Sequence, residues 1–330
     1  FLLGSGEGRG RDRSMGETEK FRWFTKGDLN AFFGLMLDNV TNLVILTGIL
    51  AGVFKYPTEF IFSHMIPGTA LGVMLGDLAY TWMAYRLAKR TGRHDVCAMP
   101  LGLDTPSTIG IAFAVLGPVY LQTGDAMLTW QVGMATMVLI GIVKLVFSFA
   151  GDWIRRMVPQ AGLLGSLAGI GVALLGFLPL VTLFEMPIVG LTAFGLVLYA
   201  LVAKLELPFK LPGAAVAVLV GAALYYLLGG FGLALRLPPP VPSLGFIDGF
   251  GRALDFLPVA IPFGLLTIVG GINVTESARV AGDDYKTRDI LLVEALATLA
   301  AGVCGGVAQS TPYIGHPAYK AMGGRAGYTL

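Results

Sequence analysis

Long apolar stretches in this chain are separated by short linkers, and its Lys and Arg residues fall almost entirely in every second linker. Of the 23 basic residues 19 follow that alternation, among them Arg22 and Lys26 before the first stretch and Arg86, Lys89, Arg90 and Arg93 after the second. Lys55, Arg236 and Arg252 fall in the opposite linkers, and Lys144 lies inside a stretch. Translocation disfavours positive charge, so the pattern predicts a polytopic membrane protein whose N-terminus and basic linkers are cytoplasmic. Only 13% of residues are charged and 55% are hydrophobic, against about 25% charged in an ordinary soluble domain. Lipid is the expected solvent, in the plasma (inner) membrane. The basic residues never gather into one patch, so nucleic acid is not an expected partner.

A hydrocarbon core of about 30 Å takes roughly 20 apolar residues per helix. On that measure spans are predicted near residues 29–53, 60–86, 105–121, 127–150, 161–181, 186–203, 212–230, 253–278, 289–304 and 309–330. The third and tenth are short and are entered through MPLGLDTPS at 99–107 and QSTPYIGHP at 309–317. The expected fold class is therefore an all-α polytopic membrane protein with short extended breaks in those two spans. Seven crossings place 231–252 outside, so the eighth span runs opposite to the first. Phe33-Gly34-Leu35 with Asn39-Val40-Thr41 in span one is echoed by Phe263-Gly264-Leu265 with Asn273-Val274-Thr275 in span eight. Paired Gly/Pro interruptions in inverted repeats point to the substrate site of a secondary transporter. The expected organisation is a cytoplasmic segment at 1–28, core spans one to four at 29–150, gate spans five to seven with an outer loop at 151–252, and core spans eight to ten at 253–330. Met15 opens a more natural start, and residues 1–14 read as an upstream extension.

Unwound backbone and the positive ends of half-helices suit a small planar or anionic solute. The expected site lies between 100–108 and 309–317, with Asp104, Ser107, Asn273, Ser310, Thr311, Gly315 and His316 as contacts. An ionisable group at bilayer depth costs on the order of 3 kcal/mol even on the lenient insertion scale. That cost makes Asp38, Asp104 and Glu276 candidates for coupling transport to H+ or Na+. Asp77 reads as packing, Glu294 as a helix cap or bridge, and Asp283-Asp284-Tyr285-Lys286 as a solvated loop. Two cysteines, Cys97 and Cys304, argue against a disulfide scaffold. No cofactor, metal site or catalytic residue is expected. An intramembrane prenyltransferase or protease needs an aspartate cluster, a Ser–His site or paired aspartates, and the pattern offers none.

Residues 291–329, LLVEALATLAAGVCGGVAQSTPYIGHPAYKAMGGRAGYT, resemble the xanthine/uracil permease superfamily, the nucleobase–ascorbate transporters, in its purine-permease branch. Glu294, Ser310-Thr311 and Gly323-Gly324-Arg325-Ala326-Gly327 carry the likeness, and Pro100-Leu101-Gly102-Leu103-Asp104 is similar to the family's break in the third span, with Asp where the family has Asn. The resemblance implies fourteen spans in two inverted seven-span repeats, of which about ten are present and four are missing. It implies a substrate-carrying core moving against a gate and dimer scaffold, and hence a homodimer. It also implies cation-coupled uptake of a nucleobase. Two places where nucleobase-binding relatives carry carboxylates hold Val269 and Gly315 here. A sulfate-permease-type carrier of anions or small carboxylates, which shares the fold without those carboxylates, is the alternative. Either way the expected partners are a small-molecule solute and the lipid bilayer.

Overall fold

A computed structural model of the protein describes residues 21–150, 177, 180, 181, 183–203, 205, 207, 213–228, 239 and 242–330. The 1–14 extension, most of the fifth expected span and 231–238 of the outer loop lie outside the described residues. In chain order the elements are α1 (Lys26–Val53), α2 (Thr58–Thr91), strand β1 (Leu101–Leu103) and α3, which runs from Thr105–Ile111 through Ala112–Leu116 into Gly117–Thr123. Then come α4 (Ala126–Ser148), α5 (Pro187–Val197), α6 (Gly213–Leu227), α7 (Gly245–Ala253), α8 (Leu257–Val280), α9 (Thr287–Val303), strand β2 (Ser310–Pro312) and α10 (His316–Ala321). Four described helices are long and apolar enough to cross a membrane: α1, α2, α4 and the continuous run Gly245–Val280 that contains α7 and α8.

The two interrupted segments meet. β1 and β2 pair antiparallel in the register Leu101↔Pro312, Gly102↔Thr311 and Leu103↔Ser310. Asp104 N–H donates to Gln309 C=O at 3.0 Å and Tyr313 N–H to Pro100 C=O at 2.9 Å, closing the ribbon at both ends. A two-stranded ribbon has two free edges, and in lipid no water satisfies them. Side chains from neighbouring helices do so instead. On β1, Leu101 N–H donates to Asp77 Oδ1 and Leu103 N–H to Asn39 Oδ1, both at 3.0 Å, while Asn42 Nδ2 donates to Leu103 C=O at 3.3 Å. On β2, Lys144 Nζ donates to Ser310 C=O at 2.7 Å. The polar residues inside α1, α2 and α4 are thus the edge partners that let an extended segment exist at this depth.

Both strands lead into helices. Asp104 caps α3 by accepting Ser107 N–H at 2.9 Å, and Pro106 enters the first turn, where its missing N–H costs nothing. The expected tenth span at 309–330 is corrected here: α10 has six residues. Gly323 takes φ +86°, Gly323 N–H donates to Lys320 C=O, and Gly324 N–H donates to Tyr319 C=O. That is the Schellman arrangement, which ends a helix at a left-handed glycine. The chain then folds back onto the start of α1, where Thr25 Oγ1 donates to Gly323 C=O at 2.6 Å and Arg325 N–H to Asp28 Oδ1 at 2.7 Å.

Behind the ribbon, α9 packs between α2 and α4. Small residues let the backbones approach, as membrane helix contacts require. A Cβ on Gly72 would stand 2.6 Å from the Ala301 methyl, and one on Gly302 would stand 3.0 Å from the Val138 backbone nitrogen. Trp130 on α4 ties down the turn after α9 by donating from Nε1 to Gly305 C=O at 2.7 Å.

Candidate solute site at the strand ribbon

The ribbon and the helix ends beside it gather some of the predicted residues and disperse others. Asp104 is 9% exposed, and its carboxylate is held by the turn it caps. Ser107 Oγ and Thr108 Oγ1 donate back to Asp104 C=O at 3.2 and 2.8 Å, so the first turn of α3 satisfies its own hydroxyls. On β2, Ser310 Oγ is buried without a hydrogen-bond partner among the described residues. Thr311 points at α8, where a Cβ on Gly270 would lie 4.0 Å from Thr311 Oγ1. Asn273, one turn further along α8, has a buried Nδ2 that likewise lacks a partner among the described residues. On α1, Asp38 lies near the Tyr313 hydroxyl, which donates to Leu103 C=O at 3.1 Å. Gly315 caps the start of α10 beside Tyr319, whose ring would lie 3.2 Å from an added Cβ. Tyr313, a residue the sequence pattern did not single out, lays its ring against Gly102 of β1, where an added Cβ would collide with it.

One expected contact, His316, and one expected coupling residue, Glu276, lie elsewhere. Fully buried, His316 has Nδ1 3.2 Å from Ala98 C=O and Nε2 3.1 Å from Asp283 Oδ2, so both ring nitrogens are committed to the protein rather than to a solute. The cause is its position as the first residue of α10, where its ring meets the loops 92–100 and 281–286. Glu276 sits in the last turn of α8, where Arg279 Nη1 approaches its carboxylate at 2.8 Å at the half-exposed helix end. It belongs to a surface triad in which Arg279 bridges Glu276 and Asp284, a role the sequence left open.

Asp283 corrects the solvated-loop reading outright. Its side chain is 0% exposed and accepts from Lys320 Nζ at 2.7 Å, His316 Nε2 at 3.1 Å and Cys97 N–H at 3.1 Å, with Arg93 Nη2 3.4 Å away. Burial works against its charge. The bonds from His316, Lys320 and Cys97 outweigh that penalty and hold the carboxyl below its ordinary value. Arg93 also donates to Gly282 C=O, so the linkers after α2 and α8 are pinned together at one end of the ribbon assembly.

The strongest feature was missed by sequence reasoning. Lys144 on α4 and Glu294 on α9 are both 0% exposed and form an ion pair at 2.8 Å. Lys144 Nζ also reaches Thr298 Oγ1 at 3.1 Å and Gln309 Oε1 at 3.3 Å, in addition to Ser310 C=O. A charge inside a span needs a partner of opposite sign, so Lys144 in span four together with Glu294 in span nine was the available signal. Glu294 does bridge, as expected of it, and its partner is this lysine.

A separate apolar groove of about 420 Å³ lies between α1 and α2, lined by Phe32, Met36, Leu43 and Met74 among others. Asn39 and Asp77 reach it, and Asn39 Oδ1 and Asp77 Oδ1 already accept from β1.

Compared with solved structures, the chain aligns with the transmembrane domain of a cyanobacterium bicarbonate transporter, BicA, at a TM-score of 0.56 and 17% sequence identity. The match covers 92% of this chain and 78% of that one. At that identity the likeness speaks for the fold alone. The chain shares the fold of that transmembrane domain, and four of its described helices are long and apolar enough to cross a membrane. No family model and no curated protein matches it.

Proposed function

We propose that this chain carries a small anion across the bilayer, with bicarbonate as the first solute to test, and that a cation accompanies it. The observation that supports this most is the shared fold with a bicarbonate transporter domain over nearly the whole chain. The solute would lie beside the ribbon, against Tyr313, Thr311 and Gly270, with Asn273 Nδ2 as an unpaired donor aimed into a buried setting. Bare backbone at Gly270, where an added Cβ would meet only Thr311 Oγ1 at 4.0 Å, leaves room for a compact ion such as bicarbonate, whose oxygens accept hydrogen bonds from amide and hydroxyl groups. Asp38, Asp77 and Asp104 are the carboxylates near the ribbon without an ion pair among the described residues, and Asp38 and Asp104 are the places proposed for H+ or Na+ to act.

Alternating access would move α1 to α4 and α8 to α10 as the solute-bearing body. The nucleobase reading rests on residues 291–329 and on the Asn273 amide, which suits a heterocycle's ring nitrogens as well as an anion. Uptake into proteoliposomes separates the two. Radiolabelled bicarbonate and sulfate are compared with xanthine and uracil, each under Na+ and pH gradients. Anion uptake that is abolished by Asn273→Ala and Thr311→Val is the expected result. Accumulation of nucleobases alone overturns the anion reading.

A further inference from the structure

The surroundings of Lys144 Nζ are those of a bound metal cation. Four oxygens converge on one point with no solvent contact: Ser310 C=O at 2.7 Å, Glu294 Oε1 at 2.8 Å, Thr298 Oγ1 at 3.1 Å and Gln309 Oε1 at 3.3 Å. They come from α9 and from the segment leading into β2. A carboxylate, a hydroxyl, an amide oxygen and a peptide carbonyl make an all-oxygen set of the kind hard cations select. Two further oxygens of the same residues, Glu294 Oε2 and Ser310 Oγ, are buried with no hydrogen-bond partner among the described residues. An ammonium offers three protons, and here it faces more acceptors than it can serve. The cage therefore has unused ligand capacity, which a spherical ion with no fixed donor directions would take up.

We propose that this cage is a monovalent-cation site that the chain fills with its own ammonium, so that the native protein binds neither sodium nor potassium at this place. Lys144 fixes β2 and the start of its break to α4 and α9 without depending on the ionic composition of either compartment. A lysine supplies one positive charge at a constant effective concentration, and a free ion would come and go. Removing the ammonium leaves the Glu294 charge uncompensated in a dry interior, and a small cation can then enter. Cation binding here is independent of which solute the protein carries.

The test is thermal unfolding of the full chain in detergent, in NaCl, KCl or choline chloride at equal ionic strength. The wild-type Tm is expected to be the same in all three salts. Lys144→Ala is expected to melt lower in choline and to recover saturably in NaCl or KCl, by on the order of 5 °C once the ion is about a hundredfold above its Kd. Adding Glu294→Gln to Lys144→Ala removes the charge that attracts the ion and is expected to abolish that recovery. Where the purified variant is too unstable to melt, size-exclusion profiles of fluorescently tagged protein extracted in each salt give the same comparison. Equal behaviour of Lys144→Ala in the three salts, including absence of folded protein from all of them, overturns the proposal. A wild-type response as large as the variant's also overturns it, because the ion would then bind elsewhere. Loss of all transport activity in every form leaves these melting results unaffected, so a failure of the anion reading is told apart from a failure of this one.

Discussion

The free edge of β1 offers the sharpest test of how polar residues support an extended segment inside the membrane. Asn39→Ala removes the acceptor of Leu103 N–H, a 3.0 Å bond, and leaves that amide in apolar surroundings. A buried donor left unsatisfied costs about 1–3 kcal/mol. Hydrogen bonds between membrane helices average only about 0.6 kcal/mol, because side chains find other partners when the helices separate. The Leu103 amide has less freedom to do so, since it is held in a strand with its neighbours already paired. We therefore expect a loss of roughly 1.5–2 kcal/mol, about a tenfold to thirtyfold fall in the folded-to-unfolded ratio. Val40→Ala is the control, on the same helix but 45% exposed and without a polar partner. Denaturant unfolding in mild detergent, followed by tryptophan fluorescence, gives the two stabilities. Hydrogen exchange at Leu103 gives the local reading and should speed up in Asn39→Ala alone. If Asn39→Ala costs no more than Val40→Ala and Leu103 stays protected, the account of the ribbon edge is wrong.

Three further outcomes follow from the same geometry. Gly271→Ala would place a Cβ 2.7 Å from Leu291 Cδ2 and 2.8 Å from Glu294 Oε2, so it should cost about 1–3 kcal/mol by overpacking, measured by denaturant unfolding. Gly305 has φ +97°, and a Cβ there would stand 2.8 Å from His64 C=O; Gly305→Ala should lower Tm by several degrees, more than Ala300→Gly does in the helix before it. Because the Asp283 carboxyl titrates below its ordinary value, its contribution is fully present above the unfolded-state pKa of about 3.9 and is lost as pH falls through the lower folded-state value. Proteolysis at the linkers 92–98 and 281–286 should therefore stay constant from pH 7 to about pH 5 and rise only under stronger acid, whereas Asp283→Asn should be cleaved faster throughout.

Much of this architecture can be read in the chain because its signals are local and strong. The Pro/Gly-rich runs at 99–107 and 309–317 are incompatible with continuous helix, and both become strands followed by helix starts. What the pattern could not show is which polar side chain meets which backbone group. Asp77, Asn39 and Lys144 lie 24, 64 and 166 residues from the ribbon atoms they serve, and no periodicity reports a contact of that range. His316 misled for a related reason. Its place in a broken segment suggested solute contact, but the direction of its side chain depends on the helix that starts at that residue. Asp283 misled in the opposite way, because adjacent charges in a linker normally mark solvent. One of the pair, Asp284, is exposed and bridges Arg279, while the other is sealed under α10. The tenth span fails because its bounds, 309–330, run past GGRAG at 323–327, whose first glycine terminates the helix.

The charges around the ribbon bear directly on what kind of solute the fold can hold. Glu294 is balanced by Lys144, and the positive end of α3 is already occupied by the Asp104 carboxylate, so neither feature is free to attract an anion. Asp38 adds another carboxyl group near Tyr313. An anion about 5 Å from one ionised carboxylate, at an effective dielectric of about 20, is opposed by roughly 3 kcal/mol, which weakens binding more than a hundredfold. Donors such as Asn273 Nδ2, each contributing about 1 kcal/mol net, do not offset that alone. Neutralising Asp38 or Asp104 with a proton or a sodium ion removes the opposition, and the same coupling makes the anion raise the affinity for the cation. Anion binding that strengthens by about two orders of magnitude as the coupling cation saturates is therefore the expected signature, and Asp38→Asn should abolish most of that dependence while leaving binding tight. Isothermal titration with bicarbonate across Na+ and pH series reads it, and an affinity that ignores both ions would mean that the anion sits far from these carboxylates.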